Sequence, residues 1–335
     1  MAKVRVTQKV IAEMAGVSVN TVSRALSNKP DVNDETKHRI LKIVKEMGYT
    51  PNLVARSLKT GQTKTIGVIV SDITNPFFSL VIHGIEDKVQ KKGYSIILCN
   101  ANENYVREEK AMKLLVQKRV DGILVTPVEK KTRDIFYLQQ MKVPFVLVAR
   151  YLKIPDLSYV VADDVLGGFL ATEHLIKKGH RKIMYVAGPS HVTTAQERLN
   201  GYKKALAQYG IRFEEELVRF TNAKSEDGYR VMKDALSKRL DFTAVSVFND
   251  YLALGIMKAL REGGLRIPDD VAIVGYDDIE FASLAVVPLS SVRIPKYELG
   301  YKAAEILLNQ LSKKHIRSEP QQIAIKPELV IRSST

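Results

Sequence analysis

The sequence predicts an all-α helix-turn-helix head over residues 1–51, joined to an α/β core of two doubly wound parallel-sheet subdomains. Three observations predict it. Helical spacing with caps runs from Thr7 to Gly48. Short apolar runs then alternate with amphipathic stretches from Thr65 onward. Positive charge is concentrated in the head. The 335 residues are enough for two or three domains.

Composition sets the class. Hydrophobic residues make up 45% and charged residues 26%, as in an ordinary globular chain. The formal net charge is +14. Residues 1–61 hold 11 Lys/Arg against 5 Asp/Glu, whereas the rest hold 40 against 32, so the head is the more basic part per residue. A basic head fits a polyanion partner, although charge alone fits a merely basic surface equally well. The opening Met1-Ala2-Lys3-Val4-Arg5 has no apolar signal segment, and no run reaches the length of a membrane span. A cytoplasmic protein with no membrane contact is expected. A single cysteine, Cys99, excludes an internal disulfide and a multi-thiolate metal site.

In the head, Thr7 is placed to cap a first helix with an apolar stripe of Val10, Ile11 and Met14, broken at Gly16. Ser18 caps a second helix carrying Val19, Val22 and Leu26. Asn33 caps a third, with Asp34 and Glu35 in the first turn, where negative charge suits the helix dipole. Its stripe is Ile40, Ile43, Val44 and Met47, and Gly48 stops it. Pro51 imposes a break, and the short Leu53–Leu58 segment is helical in character but too short to stand alone. In the core, the runs at Ile66–Val70, Ser95–Cys99, Gly122–Val125, Phe145–Val148, Ile183–Val186, Ala244–Phe248 and Val271–Gly275 read as strands. The intervening helices are read at Phe78–Lys92, Glu108–Lys118, Gly167–Lys178, Arg198–Tyr209, Gly228–Ser237, Leu252–Glu262 and Leu299–Ser312. The stretch is too long for one small sheet, and two facing subdomains would leave a cleft between them.

The strongest local signal runs from Val6 to Leu26: two short helices joined by a turn containing Gly16, with small Ala12 and Ala15 allowing close packing. The second helix turns Val19, Asn20, Ser23 and Arg24 outward. Arginine can fork onto a guanine edge, asparagine can read a base, and valine can touch a thymine methyl. The hydroxyls of Ser18 and Thr21 suit phosphates. The competing reading is a helical hairpin with solvated polar residues.

At these residues the chain resembles the LacI/GalR family, the lactose-repressor-like regulators. The matching stretches include Val17-Ser18-Val19-Asn20-Thr21-Val22-Ser23-Arg24, Gly48-Tyr49-Thr50-Pro51-Asn52, Ala55-Arg56-Ser57-Leu58, Asn75-Pro76-Phe77-Phe78, Lys118-Arg119-Val120-Asp121-Gly122, Arg198-Leu199-Asn200-Gly201-Tyr202, Asn249-Asp250 and Gly275-Tyr276-Asp277-Asp278. Each is weak alone, and their order and spacing are specific. The resemblance covers essentially the whole chain. It implies a sequence-specific DNA-binding transcriptional regulator, by family default a repressor of carbohydrate-utilisation genes, acting as a homodimer on a near-palindromic operator with a small-molecule effector. The implied DNA-facing set is Thr7, Ser18, Val19, Asn20, Thr21, Ser23, Arg24, Tyr49, Asn52, Ala55, Leu58 and Lys59. Leu58 would be the minor-groove wedge of a hinge helix, against the alternative of a linker leucine packed on the core. The implied organisation is a head at 1–51, a hinge at 52–62, and a periplasmic-binding-protein-like core at 63–335. Its two interleaved subdomains would comprise approximately 63–162 with 291–318, and 163–290 with 319–335.

The positions that would line the cleft are Asn75, Phe77, Phe78, Arg198, Asn249 and Asp277, with Arg150 added at the end of a strand. Asp277 can accept from two hydroxyls, and Arg198 can donate two parallel bonds. A structural ion pair of Arg198 with Asp277, and plain core packing of the two phenylalanines, are the competing readings. Three departures from the family pattern stand out: Ala149 before Arg150 in place of an acid, Ala223 where an aromatic is usual, and Ile294 in place of a glutamine. With Arg150 and Arg198 set against Asp277, one expectation is an anionic effector, such as a sugar acid or sugar phosphate. The other is an ordinary sugar with Arg150 turned away. No cofactor, metal or catalytic set is expected. A solute-binding protein, an enzyme, and a regulator controlled by a partner protein are the alternatives.

Overall fold

The computed structural model describes residues 6–50, 57, 61–312 and 319–335. It divides into two compact units, Met1–Thr63 and Lys64–Thr335.

The first unit is helical. Helices α1 (Gln8–Ala15), α2 (Val19–Leu26) and α3 (Asp34–Glu46) each start at the expected cap, where Thr7, Ser18 and Asn33 accept from the backbone amides of Val10, Thr21 and Thr36. Gly16 ends α1 in the left-handed conformation (φ 63°), where a glycine pays no steric cost. Ile11, Ala12, Ala15, Val22, Ala25, Val32 and Ile40 form its core. Met14 is a correction to the expected stripe. It is 55% exposed, because the small Ala12 and Ala15 take the inward positions.

The second unit holds two six-stranded sheets. The first contains β1 (Thr65–Val70), β2 (Ser95–Asn100), β3 (Gly122–Val125), β4 (Phe145–Val148), β5 (Tyr159–Ala162) and β11 (Gln322–Ile325), in the order β11-β5-β4-β3-β1-β2. Every pairing in it is parallel. Helices α4 (Phe77–Gln90) and α12 (Lys296–Ser312) share one apolar cluster with it, while α5 (Tyr105–Gln117) and α6 (Arg133–Gln140) share another. The second sheet contains β6 (Ile183–Ala187), β7 (Val218–Phe220), β8 (Ala244–Val247), β9 (Ala272–Asp277), β10 (Ser290–Arg293) and β12 (Glu328–Val330), in the order β12-β10-β9-β8-β6-β7. It is parallel apart from the β10–β12 edge pair. Helices α7 (Asp164–Lys177) and α8 (Thr193–Gln208) pack on one apolar side, and α9 (Ser225–Ser237), α10 (Asp250–Glu262) and the short α11 (Glu280–Leu284) on the other. Strands buried on both faces explain the continuous apolar runs in the sequence.

The chain crosses between the sheets three times: from β5 into α7, from β10 into α12, and from β11 into β12. The expected crossings at 291 and 319 sit elsewhere. Strand β10 pairs with β9, so residues 290–293 belong to the second sheet, and β11 pairs with β5, so residues 322–325 belong to the first. Apolar patterning does not say which sheet completes such short edge strands; hydrogen-bond pairing does.

Candidate DNA-recognition helix and ligand cleft

Helix α2 presents the outward face that the sequence predicts. Val22 and Ala25 are buried, and Val19, Asn20 and Arg24 are exposed, with Thr21 and Ser23 half-buried. Two of the expected DNA-facing hydroxyls already have structural work. Thr7 and Ser18 accept cap bonds of 3.4 and 3.0 Å, and Ser18 also shares a 2.8 Å hydroxyl bond with Thr21. Each hydroxyl keeps further bonding capacity for a phosphate. Arg24 has an intramolecular partner that the sequence did not suggest: its guanidinium pairs with Asp31 in the loop before α3, both side chains being nearly half exposed. Tyr49 is half-buried and packs on the head core. Asn52, Ala55, Leu58 and Lys59 lie outside the described residues.

The cleft is built by the C-terminal ends of parallel strands, where α/β sheets place ligands. On the second-subdomain side Arg198 is the centre. Its Nε donates to Asp164 Oδ1 at 2.7 Å and its Nη1 to the Phe248 carbonyl at 2.6 Å, with Asp277 Oδ1 at 3.7 Å. The guanidinium carbon lies 3.6 Å from the Tyr276 ring centre and 4.6 Å from that of Phe248. Tyr276 Oη also donates to Asp164 Oδ1 at 2.9 Å. A close crossing of α7 and α8 brings these groups together. A side chain at Gly168 would overlap the Arg198 carbonyl, so only glycine lets α8 come near enough for Arg198 to reach Asp164. Burial opposes the charge on Arg198, but Asp164, Tyr276 and Asp277 together outweigh it and raise its pKa. Burial pushes the Asp277 carboxyl up, and Arg198 restrains the rise to about 6.

Asn249 caps α10, accepting from the Leu252 amide at 2.8 Å, and its amide nitrogen lies 3.4 Å from the Ala223 carbonyl. Across from it, Asn75 accepts from the Phe77 amide at 3.0 Å. Phe77 and Phe78 meet edge to face at 5.1 Å, and they are 7% and 4% exposed within the apolar cluster, which is the core-packing reading of both rings. Arg150 departs from the expectation that it opposes Asp277 as an open cation. Ala149 turns through a positive φ of 65°, and both terminal nitrogens of Arg150 reach the Glu103 carboxylate at 2.8 and 2.7 Å. The two subdomains also touch directly. Tyr151 Oη donates to Glu197 Oε1 at 2.5 Å, and Thr193 Oγ1 donates to the Tyr151 carbonyl at 3.1 Å.

Comparison with known proteins decides the family. Residues 7–52 match the model for bacterial regulatory proteins of the lacI family, and residues 172–335 match a periplasmic binding protein-like domain. The chain is 36% identical over 330 residues to the HTH-type transcriptional repressor PurR of Photobacterium profundum, covering 98% of each. It is 35% identical to the ribose operon repressor of Escherichia coli K12, covering 98% of this chain and 99% of that one. The chain belongs to the lacI family of bacterial regulatory proteins.

Solved lacI-family structures agree in fold. The lac repressor dimer bound to operator and an anti-inducer superposes with a TM-score of 0.87 at 28% identity, covering 98% and 99% of the two chains. The regulator CelR in complex with cellobiose gives 0.77 at 30% identity, covering 99% and 100%. The chain is thus a DNA-binding transcriptional repressor with a ligand-binding core. Among the described residues no helix is long and apolar enough to cross a membrane. Sequence reasoning missed Glu103, Asp164, Tyr276 and Asp31. Tyr276 left a trace in the matching stretch Gly275-Tyr276-Asp277-Asp278, and Asp164 fell just before the helix read at Gly167, which in the structure begins at Asp164 itself.

Proposed function

We propose that this lacI-family chain binds a near-palindromic operator as a cytoplasmic homodimer, and that a carbohydrate held between its two core subdomains sets its affinity for DNA. Base contacts are assigned to Val19, Asn20 and Arg24, and backbone contacts to Thr7, Ser18, Thr21, Ser23, Tyr49 and Asn52. Ala55 and Leu58 are assigned to the minor groove, and Lys59 to the DNA beside them. The effector is assigned to Asn75, Arg198, Asn249 and Asp277, while Phe77 and Phe78, expected as further lining residues, keep the core-packing role. Arg150 takes part through its pair with Glu103. The protein performs no catalysis in this reading.

The observation that carries the DNA reading is the face of α2, with Val19 44% exposed beside exposed Asn20 and Arg24 over a buried Val22. An apolar residue held in water on a short capped helix suits a thymine methyl better than it suits solvent. The carbohydrate reading draws on the ribose operon repressor among the relatives and on the cellobiose and ribose complexes among the similar structures. Selection of bound duplexes from a random library, followed by competition against non-specific DNA at fixed salt, tests the first part. A preference of at least about a thousandfold supports it. Binding that tracks only duplex charge and salt overturns it.

A further inference from the structure

The cleft holds one charged group that the preceding assignment leaves out. Glu103 lies in the turn after β2, where Asn102 and Glu103 both adopt a φ of 51°. Two successive non-glycine residues in the left-handed region are costly, and such strain clusters at functional sites. The turn is fixed by the Glu103 amide, which donates to the Ser71 carbonyl at 2.7 Å. The carboxylate then receives both terminal nitrogens of Arg150, and Nη1 of Arg150 also donates to the Pro127 carbonyl at 3.3 Å. The side chains of Arg150 and Glu103 are only 11% and 22% exposed. Burial alone would raise the Glu103 carboxyl, but Arg150, with smaller help from Ser71 and His191, outweighs it and holds the group below its usual range. The pair lies at the boundary with the other subdomain, since Tyr151, the residue after Arg150, donates from its hydroxyl to Glu197 and accepts at its carbonyl from Thr193.

We propose that Glu103 is a specificity-determining residue of this cleft. Its carboxylate occupies the two-pronged face of Arg150 and thereby turns away ligands that carry a carboxylate or phosphate, so neutral polyols are the class admitted. The inference rests on the cleft reading given above. An anionic ligand would have to displace a buried two-bond partner from Arg150 and then lie beside the carboxylate it displaced. A neutral polyol needs only the unused lone pairs of Glu103 and Asp277, to which its hydroxyls donate. Arg198 offers no open two-pronged face to a second anion, because its Nε and Nη1 already donate to Asp164 and the Phe248 carbonyl, while its remaining N–H groups can still meet a hydroxyl.

The test is calorimetry and thermal shift on the intact chain with D-ribose, D-glucose, cellobiose, D-gluconate and D-ribose 5-phosphate. Glu103→Gln, which keeps shape and removes charge, is expected to bind gluconate or ribose 5-phosphate at least about tenfold tighter than the parent does. Glu103→Ala should give the same gain, and adding Arg150→Gln should remove it. The proposal is overturned if both Glu103 variants bind the anions no tighter than the parent, or if the parent takes an anion as tightly as its neutral counterpart. Failure of the cleft reading itself looks different: a neutral sugar would then bind with the same affinity before and after Asp277→Asn.

Discussion

Asp164 and Asp277 both face Arg198, yet their replacement by asparagine should have opposite consequences. Asp164 sits at hydrogen-bond distance (2.7 Å), is 2% exposed, and its Oδ1 also receives the Tyr276 hydroxyl. Asp277 is 3.7 Å away, and burial already pushes its carboxyl up to about 6. Orphaning a buried ion costs about 3–5 kcal/mol. Asp164→Asn keeps an acceptor for Arg198 and leaves Asp277 nearby, so the loss should fall at about 2–3 kcal/mol, nearer the range for a charged hydrogen bond. For a core of this size that is roughly 3–6 °C of melting temperature. Asp277→Asn removes a carboxylate that is costly to ionise in the fold, so at pH 7.5 it should be neutral or stabilising while losing effector response. Urea and thermal unfolding of both variants, with and without a bound sugar, measure the difference. The reasoning is refuted if Asp277→Asn destabilises the core more than Asp164→Asn does.

Other outcomes follow from the same structure. Asp31→Asn should free Arg24, and because that pair is nearly half exposed it is worth no more than about 1 kcal/mol, so operator binding should tighten by no more than about fivefold at low salt. Arg24→Ala should lose about 1–3 kcal/mol of discrimination at one base position per half-site, read by competition with mismatched operators. Asp250 is fully buried, and burial first and then the Asp277 charge push it up to about 8. A carboxyl raised in the folded state favours folding while protonated and disfavours it once ionised, so stability should fall as pH rises from the unfolded value near 4 toward 8. Asp250→Asn should remove on the order of 2 kcal/mol of that fall between pH 5 and 7, read as a flatter stability profile than the parent's. Leu58→Ala should weaken operator binding and leave the salt-driven binding to random duplex nearly unchanged; equal loss in both would remove the wedge role.

Caps and periodicity made the head readable, because Thr7, Ser18 and Asn33 act through bonds to residues three positions away. The starts of the core helices were read late for the converse reason. Helix α8 begins at Thr193, not Arg198, and α12 at Lys296, not Leu299, because their first turns carry little of the apolar stripe on which the reading relied. Strands β7, β11 and β12 are three or four residues long and partly exposed at sheet edges, too short for a period to register. In the cleft the residue types were legible and their pairing was not. Arg150 and Glu103 are separated by 47 positions and meet only through the sheet order, so an arginine that looked open to an anion is already held.

The three crossovers explain why the cleft residues sit where they do. Asp164, which holds Arg198, lies at the first crossover, where the amide of neighbouring Asp163 donates to the Ile325 carbonyl of the third at 2.9 Å. At the second, buried Lys296 donates to the carbonyls of Asp277 and Asp278, whose φ values are 101° and 50°. The Asp278 carboxylate reaches Arg293 at 2.7 Å and Arg332 at 2.6 Å, and Arg293 continues to Glu328 at 3.0 Å. Two of the three groups assigned to the effector on this side of the cleft, Arg198 and Asp277, are therefore tied to the segments that cross between the sheets. A ligand drawing Asp277 toward its own hydroxyls acts on a strained turn tied to the second and third crossovers, while one that recruits Arg198 acts on the first. Packed elements respond to such loads by moving between discrete arrangements rather than by yielding gradually. The short polar path from Asp277 through Lys296 and Asp278 thus ties this side of the cleft to the second crossover, so a load on Asp277 falls on the segment that joins the two sheets.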